Sequence, residues 1–209
     1  TLTKLGAKVI TVSGSSGKSA TVDAITQVLQ TRYDIHQGEL YGDGRLNLAA
    51  SLAKLKTQHD YVVLKLSTTF PGELQQMVEA VSPSLAIINQ IDCVHPASFE
   101  DCQQYIEEHS ALVEQLSEGS TLILNYDDDE TREVAAHARD GVRVKTFGID
   151  RFGADALAFN VKLGVERIGF DLRYEGQRYV GRWSPILGKD HLYGLLAALM
   201  VADQCGIPL

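Results

Sequence analysis

The sequence predicts an α/β fold: a mostly parallel sheet flanked by helices, with a small antiparallel β element near the C-terminal third. Three observations predict it. Over residues 1–150, short β-branched or apolar runs alternate with segments of helical periodicity. Several of those runs are apolar almost throughout, as parallel strands covered on both faces require. Beyond residue 150 the pattern changes to apolar–polar alternation punctuated by glycine.

Lys8 to Ser13 (KVITVS) reads as the first strand, and Ala20 to Thr31 as a helix, with Val22, Ile25, Val28 and Leu29 at helical spacing. Tyr61 to Leu66 (YVVLKL) reads as a buried strand, and Pro71-Gly72 opens a helix through Leu74, Met77 and Val78. Leu85 to Asn89 (LAIIN) is the next strand, and a long helix runs from about Phe99 to Leu116. Thr121 to Asn125 and Arg143 to Phe147 are further strands around a helix at Thr131 to Arg139. Ala156 to Val161, Arg167 to Tyr174 and Arg178 to Trp183 form the antiparallel element, with Tyr174-Glu175-Gly176-Gln177 as a hairpin turn. The closing helix, Leu192 to Cys205, stops at Gly206-Ile207-Pro208. We therefore expect one domain over 1–209: an α/β core at 1–150, the antiparallel element at 151–186 and the closing helix at 187–209.

A chain of 209 residues with 44% hydrophobic and 22% charged residues has ordinary globular composition. No run approaches the roughly 18 apolar residues that span a bilayer, and no export signal is read at the N-terminus, so a cytoplasmic protein without membrane association is expected. Cys93, Cys102 and Cys205 contain no CxxC pair, indicate neither a disulfide framework nor a zinc site, and are expected to be small hydrophobes. The formal net charge of −8 disfavours nucleic acid as a partner, because binding it needs a basic face. Any phosphate ligand must be held locally.

The local means is Gly14-Ser15-Ser16-Gly17-Lys18-Ser19, between the first strand and the first helix. Glycines let a backbone turn tightly and bring its N–H groups against a phosphate; the helix N-terminus adds positive potential and a lysine adds a full charge. Ser19 would offer its hydroxyl to a magnesium ion. This is a P-loop-type arrangement in the short GxxGK[ST] form, since Val12 stands where the longer pattern has its first glycine. The alternative is a plain glycine turn with an ordinary surface lysine after it.

Together with its flanks, the segment VSGSSGKSAT (Val12 to Thr21) resembles the TGTNGKTT-type loop of the Mur ligases. Further landmarks come in the family's order. Leu64 to Leu74 (LKLSTTFPGEL) is similar to the strand that ends in glutamate before a PGE-type helix start. Ile87 to Phe99 (IINQIDCVHPASF) resembles the segment with an asparagine-containing pair and then a histidine. Asn125 to Asp128 (NYDD) resembles the N-x-D-D strand exit, and Gly188 to Pro208 resembles the closing helix with its final G-I-P. The resemblance covers nearly the whole chain and is nearest to the D-alanyl-D-alanine-adding members. It implies the central, ATP-binding domain of an ATP-dependent carboxylate–amine ligase. Such an enzyme has flanking domains as partners of this one, and the domain alone should not complete a ligation cycle.

By that resemblance, Gly14, Ser15, Ser16, Gly17, Lys18, Ser19, Ala20 and Gln90 would bind the nucleotide, Lys18 and His95 would serve catalysis, and Ser19 and His95 would remain for magnesium. The sequence also departs from the family. Lys65 stands where a magnesium-binding glutamate is expected, and His109 where a carbamylated lysine is expected. Gly194 replaces an adenine-contacting asparagine, and Asp190-His191 replaces the His-Asn pair. Magnesium favours oxygen ligands, usually carboxylates, so the expected metal site is degraded. Lys65 would put an ammonium near it, unless strand alternation points Lys65 elsewhere. Trp183 and Tyr193 are read as packing residues, and the acidic run Asp127 to Glu130 as a helix start favoured by the macrodipole.

Four readings are open: a nucleotide-binding domain impaired in phosphoryl transfer, an active ligase domain with altered metal ligands, a non-catalytic scaffold within a larger synthetase, or an unrelated P-loop NTPase, for which no separate strand ending in an obvious metal-binding aspartate is read. The first is favoured, because the replaced residues would have carried the charge that neutralises a transferring phosphoryl group.

Overall fold

A computed structural model describes residues 6–41, 58–92, 97–185 and 188–208. In chain order these form β1 (Lys8–Ser13), α1 (Lys18–Leu29), β2 (Ile35–Tyr41), β3 (Tyr61–Ser67), α2 (Glu73–Val81), β4 (Leu85–Ile88) and α3 (Cys102–Glu114). Next come β5 (Thr121–Asn125), α4 (Asp129–Ala135), β6 (Arg143–Gly148), β7 (Ala156–Leu163), β8 (Ile168–Tyr174), β9 (Gln177–Ser184) and α5 (Lys189–Gln204).

All nine strands join one sheet in the order β2-β3-β1-β4-β5-β6-β7-β8-β9. Pairing is parallel from β2 through to the β6–β7 contact and antiparallel for β7–β8 and β8–β9. The antiparallel strands expected near the C-terminal third are present as β7, β8 and β9, and they continue the main sheet. Tyr174 pairs with Gln177 across the hairpin, and Glu175 and Gly176 both have positive φ, 51° and 74°, as a two-residue turn of the primed type demands.

Side chains alternate across each strand, so the sheet has two apolar faces. Ile10, Val12, Val63, Ile87 and Ile123 meet Val22, Ile25 and Leu29 of α1 and Leu196 and Val201 of α5. Val62, Leu64, Ile88, Leu122 and Leu124 meet Leu74 and Val78 of α2, Leu112 and Val113 of α3 and Val134 of α4. This double covering explains why β4 and β5 are buried at every position.

Sequence patterning does not signal β2. Its IHQGELY segment carries Gly38 and three polar side chains, His36, Gln37 and Glu39, and an edge strand can keep polar groups at its solvent side. Two other expectations need correction. Trp183 is not packed away but 63% exposed; it lies on β9, the last strand of the sheet among the described residues, whose burial pattern is exposed at most positions. Cys102 is disulfide-bonded rather than a plain hydrophobe, while Cys205 is a buried free thiol.

Candidate functional site

Gly14 to Gly17 link the C-terminal end of β1 to the N-terminus of α1, and the loop's shape depends on two glycines. Gly14 has φ 118°, and a Cβ there would lie 2.7 Å from the Gln90 carbonyl oxygen. Gly17, the residue before α1, has φ 71°, and a Cβ there would lie 3.0 Å from Asn89 Nδ2. Both are backbone conformations that side chains disfavour, at places where the exit of β4 crowds the loop.

Hydrogen bonds to the segment after β4 hold the loop down. Ser15 N–H donates to Gln90 O at 2.7 Å, Asp92 N–H donates to Ser15 Oγ at 2.8 Å, and Ser16 Oγ reaches Gln90 Oε1 at 3.5 Å. Gln90 Nε2 in turn donates to Asp92 Oδ1 at 2.6 Å. Among the described residues, none accepts a hydrogen bond from the N–H of Ser16, Gly17, Lys18 or Ser19. These donors at a helix N-terminus are ready to hold an anion.

Lys18 curls back over the loop, donating to Gly14 O at 2.6 Å and Ser15 O at 3.0 Å. That uses two of an ammonium's three donors. Burial lowers the Lys18 pKa from its ordinary value and the Lys65 ammonium lowers it further, against the opposing pull of Glu39 and Asp92. A phosphate arriving here would offset that penalty by pairing the charge.

Lys65 faces the loop, as strand alternation requires for a residue sharing a face with Val63. It pairs in register with Val12 of β1 and with Glu39 of β2. Its ammonium donates to Ser19 Oγ at 3.2 Å and forms an ion pair with Glu39 at 2.8 Å. Glu39 is a site residue that sequence reasoning missed, because β2 carries no strand signal. With Ser19, Asp23, Gln37 and Lys65 it lines a pocket of about 340 Å³ beside the loop.

A divalent cation, which the resemblance implies, does not fit these side chains as arranged. The Ser19 hydroxyl already accepts from an ammonium, which would repel a metal at the same oxygen. Among the described residues no group of three His, Cys, Asp or Glu converges to hold one. His95 lies outside the described residues.

His109 of α3 is fully buried. Its Nδ1 is 2.9 Å from Tyr105 O, which makes Nδ1 the protonated nitrogen, and Nε2 has no partner among the described residues. Burial pushes its pKa down to about 4; the Tyr105 carbonyl opposes that shift and the charge of Lys18 adds to it. The imidazole is therefore neutral.

On the other flank a crevice is lined by Gly17, Asn89, Gln90, Asn125, Asp190 and Tyr193. Asn89 donates from Nδ2 to Thr21 Oγ1 at 2.7 Å, while its buried Oδ1 has no partner among the described residues. Tyr193 is more than the packing residue expected. It donates to Asp127 Oδ2 at 2.9 Å, and burial together with that bond raises its pKa. Asn89 and Tyr193 are detectable in the sequence only through their neighbours: Asn89 precedes Gln90, and Tyr193 is one turn into the closing helix. Gly194 does not face this crevice but packs on α1, where a Cβ would lie 3.0 Å from Thr21 Oγ1.

The acidic run is structural, and three of its members have partners of their own. Asp127 accepts from the N–H groups of Ile149, Asp150 and Arg151 at 2.5, 3.0 and 2.8 Å. Burial alone would raise its pKa, but those donors and Tyr193 together hold it below the ordinary value. Asp128 caps α4 through Thr131 N–H at 2.8 Å, and Asp129 pairs with Arg132 and Arg151.

A parallel α/β sheet with a glycine-lined, lysine-bearing loop entering a helix defines a class of mononucleotide-binding architecture. Comparison with known proteins narrows the class: the family model described as Mur ligase middle domain matches residues 12–202, and the chain belongs to that family. It is 26% identical over 207 residues to the UDP-N-acetylmuramoyl-tripeptide–D-alanyl-D-alanine ligase of Bacillus subtilis, covering 99% of this chain and 43% of that protein. The protein of the same name from Buchnera aphidicola is 22% identical, with 99% and 45% covered. MurF from Acinetobacter baumannii superposes with TM-score 0.86 at 23% identity, over 100% of this chain and 44% of that one. The MurF ligase of Thermotoga maritima, solved in complex with ADP, gives TM-score 0.86 at 17% identity, over 100% and 48%. The chain spans less than half the length of these relatives.

Proposed function

We propose that this chain is the nucleotide-binding middle domain of a MurF-like, ATP-dependent carboxylate–amine ligase acting in the cytoplasm, with flanking domains as its partners. The observation that carries the reading is the loop itself. Gly14 and Gly17 shape it, four successive N–H groups from Ser16 to Ser19 are uncommitted among the described residues, and Lys18 closes over it. The β- and γ-phosphates of ATP would rest on those amides, with Lys18 exchanging a carbonyl for a phosphate oxygen. The ribose or base would lie toward Gln90 and Tyr193, outside a crevice whose own volume is only about 10 Å³.

Within this reading the domain is impaired in phosphoryl transfer. Support comes from Lys65, whose ammonium holds the Ser19 hydroxyl, and from His109, which is buried, neutral and unable to carry a bridging carboxylate. One observation favours the alternative, an active domain with altered ligands: Glu39 brings a carboxylate to the same pocket, 2.8 Å from Lys65. Calorimetric titration with ADP and ATP tests the binding claim. The wild type should bind both, and Lys18→Ala should lose at least about tenfold in affinity, the loss of one charge-assisted bond. Equal affinity in the two proteins would contradict the reading.

A further inference from the structure

Two lysines from different elements meet at one loop. Lys18 arrives from the helix and is held by loop carbonyls. Lys65 arrives from the end of β3 and touches the first turn of the same helix through Ser19 Oγ. The second cation has a local partner in the Glu39 carboxylate at 2.8 Å, and the chain as a whole is acidic. Lys65 also does more than neutralise Glu39. Its side chain is 22% exposed against 46% for Glu39, so the carboxylate is the more solvent-screened partner. The depression of the Lys18 pKa agrees, since Lys65 weighs on it more than Glu39 does.

We infer that the Lys65 ammonium serves in place of a divalent cation, so that a nucleoside polyphosphate binds the Gly14–Ser19 loop without needing magnesium. The inference rests on the nucleotide-binding reading and extends it. Lys65 reaches the same hydroxyl that a loop serine would otherwise offer to a metal. A bound polyphosphate oxygen beside Ser19 would replace Glu39 as the ammonium's partner, or share it. An ammonium supplies charge and donors but cannot polarise a leaving phosphate by coordination as magnesium does. The site thus suits retention of nucleotide better than its turnover.

The test compares ATP binding by calorimetry in excess EDTA and in excess magnesium, using the full chain of 209 residues, wild type, Lys65→Gln and Lys65→Glu. The wild type should show affinities within about threefold of each other in the two conditions, whereas both variants should be weaker by about tenfold or more in EDTA, the loss expected for one charge near a polyphosphate. Lys65→Glu, which sets a second carboxylate beside Glu39, should regain affinity when magnesium is added. A wild type that binds only with magnesium overturns the inference and leaves the nucleotide reading standing. No binding in either condition overturns both. Variants that fold, by unchanged thermal unfolding, and keep metal-free affinity overturn the role of Lys65.

Discussion

Replacing Gly14 by alanine tests the shape of the loop with a single methyl group. The added Cβ would sit 2.7 Å from the Gln90 carbonyl oxygen, 3.1 Å from Gln90 N and 3.3 Å from Asn89 N, all backbone atoms of the segment leaving β4. None can swing aside as a side chain could, so loop and strand exit must separate. The φ of 118° adds conformational strain, worth about 1–3 kcal/mol for a residue with a side chain. Forcing a methyl into a filled site adds about 1–3 kcal/mol. A total near 4 kcal/mol corresponds to a fall in Tm of roughly 8–16 °C for a domain of this size. Gly119→Ala is the internal control: it too has positive φ, 85°, but a Cβ there meets nothing within 4 Å. It should show strain alone, about 1–2 kcal/mol. Thermal and urea unfolding of the two variants side by side, with ADP titration of each, reads the difference. Gly14→Ala unfolding no earlier than Gly119→Ala, or retaining wild-type ADP affinity, would refute the claim that Gly14 sets the loop.

Three further expectations concern the surroundings of the site. His109, with a pKa of about 4 when folded against about 6.5 when unfolded, takes up its proton first in the unfolded chain. Stability should therefore be full above about pH 6.5 and fall by about 3 kcal/mol as the pH drops toward about 4; urea unfolding should show a shallower fall in His109→Leu, and identical pH profiles would count against a buried neutral imidazole. Asp127→Ala removes the acceptor for three backbone N–H groups and the Tyr193 hydroxyl, and should cost about 2–3 kcal/mol in urea unfolding, because some of those donors can turn to water. Gly194→Ala would place a Cβ 3.0 Å from Thr21 Oγ1 and 3.3 Å from Thr21 Cα; overpacking should outweigh the roughly 1 kcal/mol gained in helix propensity, so a stabilised variant would disprove close packing of α1 on α5.

The parts of this fold that are legible in the sequence are those where one physical cause acts alone. Burial on both faces makes β3, β4 and β5 largely apolar, and they read as strands without ambiguity. The Tyr174–Gln177 turn and the Gly206 stop depend on local backbone chemistry and are equally plain. At β2 the edge position lets Gly38 and polar side chains stand in a strand, so no periodicity marks it. Its silence conceals Glu39, and with it the ion pair that holds Lys65. Residues 14–20 stand out as a unit because the spacing of glycine, lysine and serine encodes a backbone shape. The crevice does not, since Asn89, Asn125 and Tyr193 come together only through the sheet order, which single-sequence patterning does not supply. Gly194, which aligns by motif with an adenine-contacting asparagine, lets α5 approach α1 closely at Thr21.

The central claim is that polyphosphate rests on the backbone between Ser15 and Ser19, and amide chemical shifts report that contact residue by residue. Titrating the isotope-labelled chain with ATP and, separately, with adenosine should move the Ser16, Gly17, Lys18 and Ser19 amide resonances strongly with ATP and little with adenosine. Saturating ATP that leaves those four resonances in place, while shifting others elsewhere on the sheet, would contradict the claim.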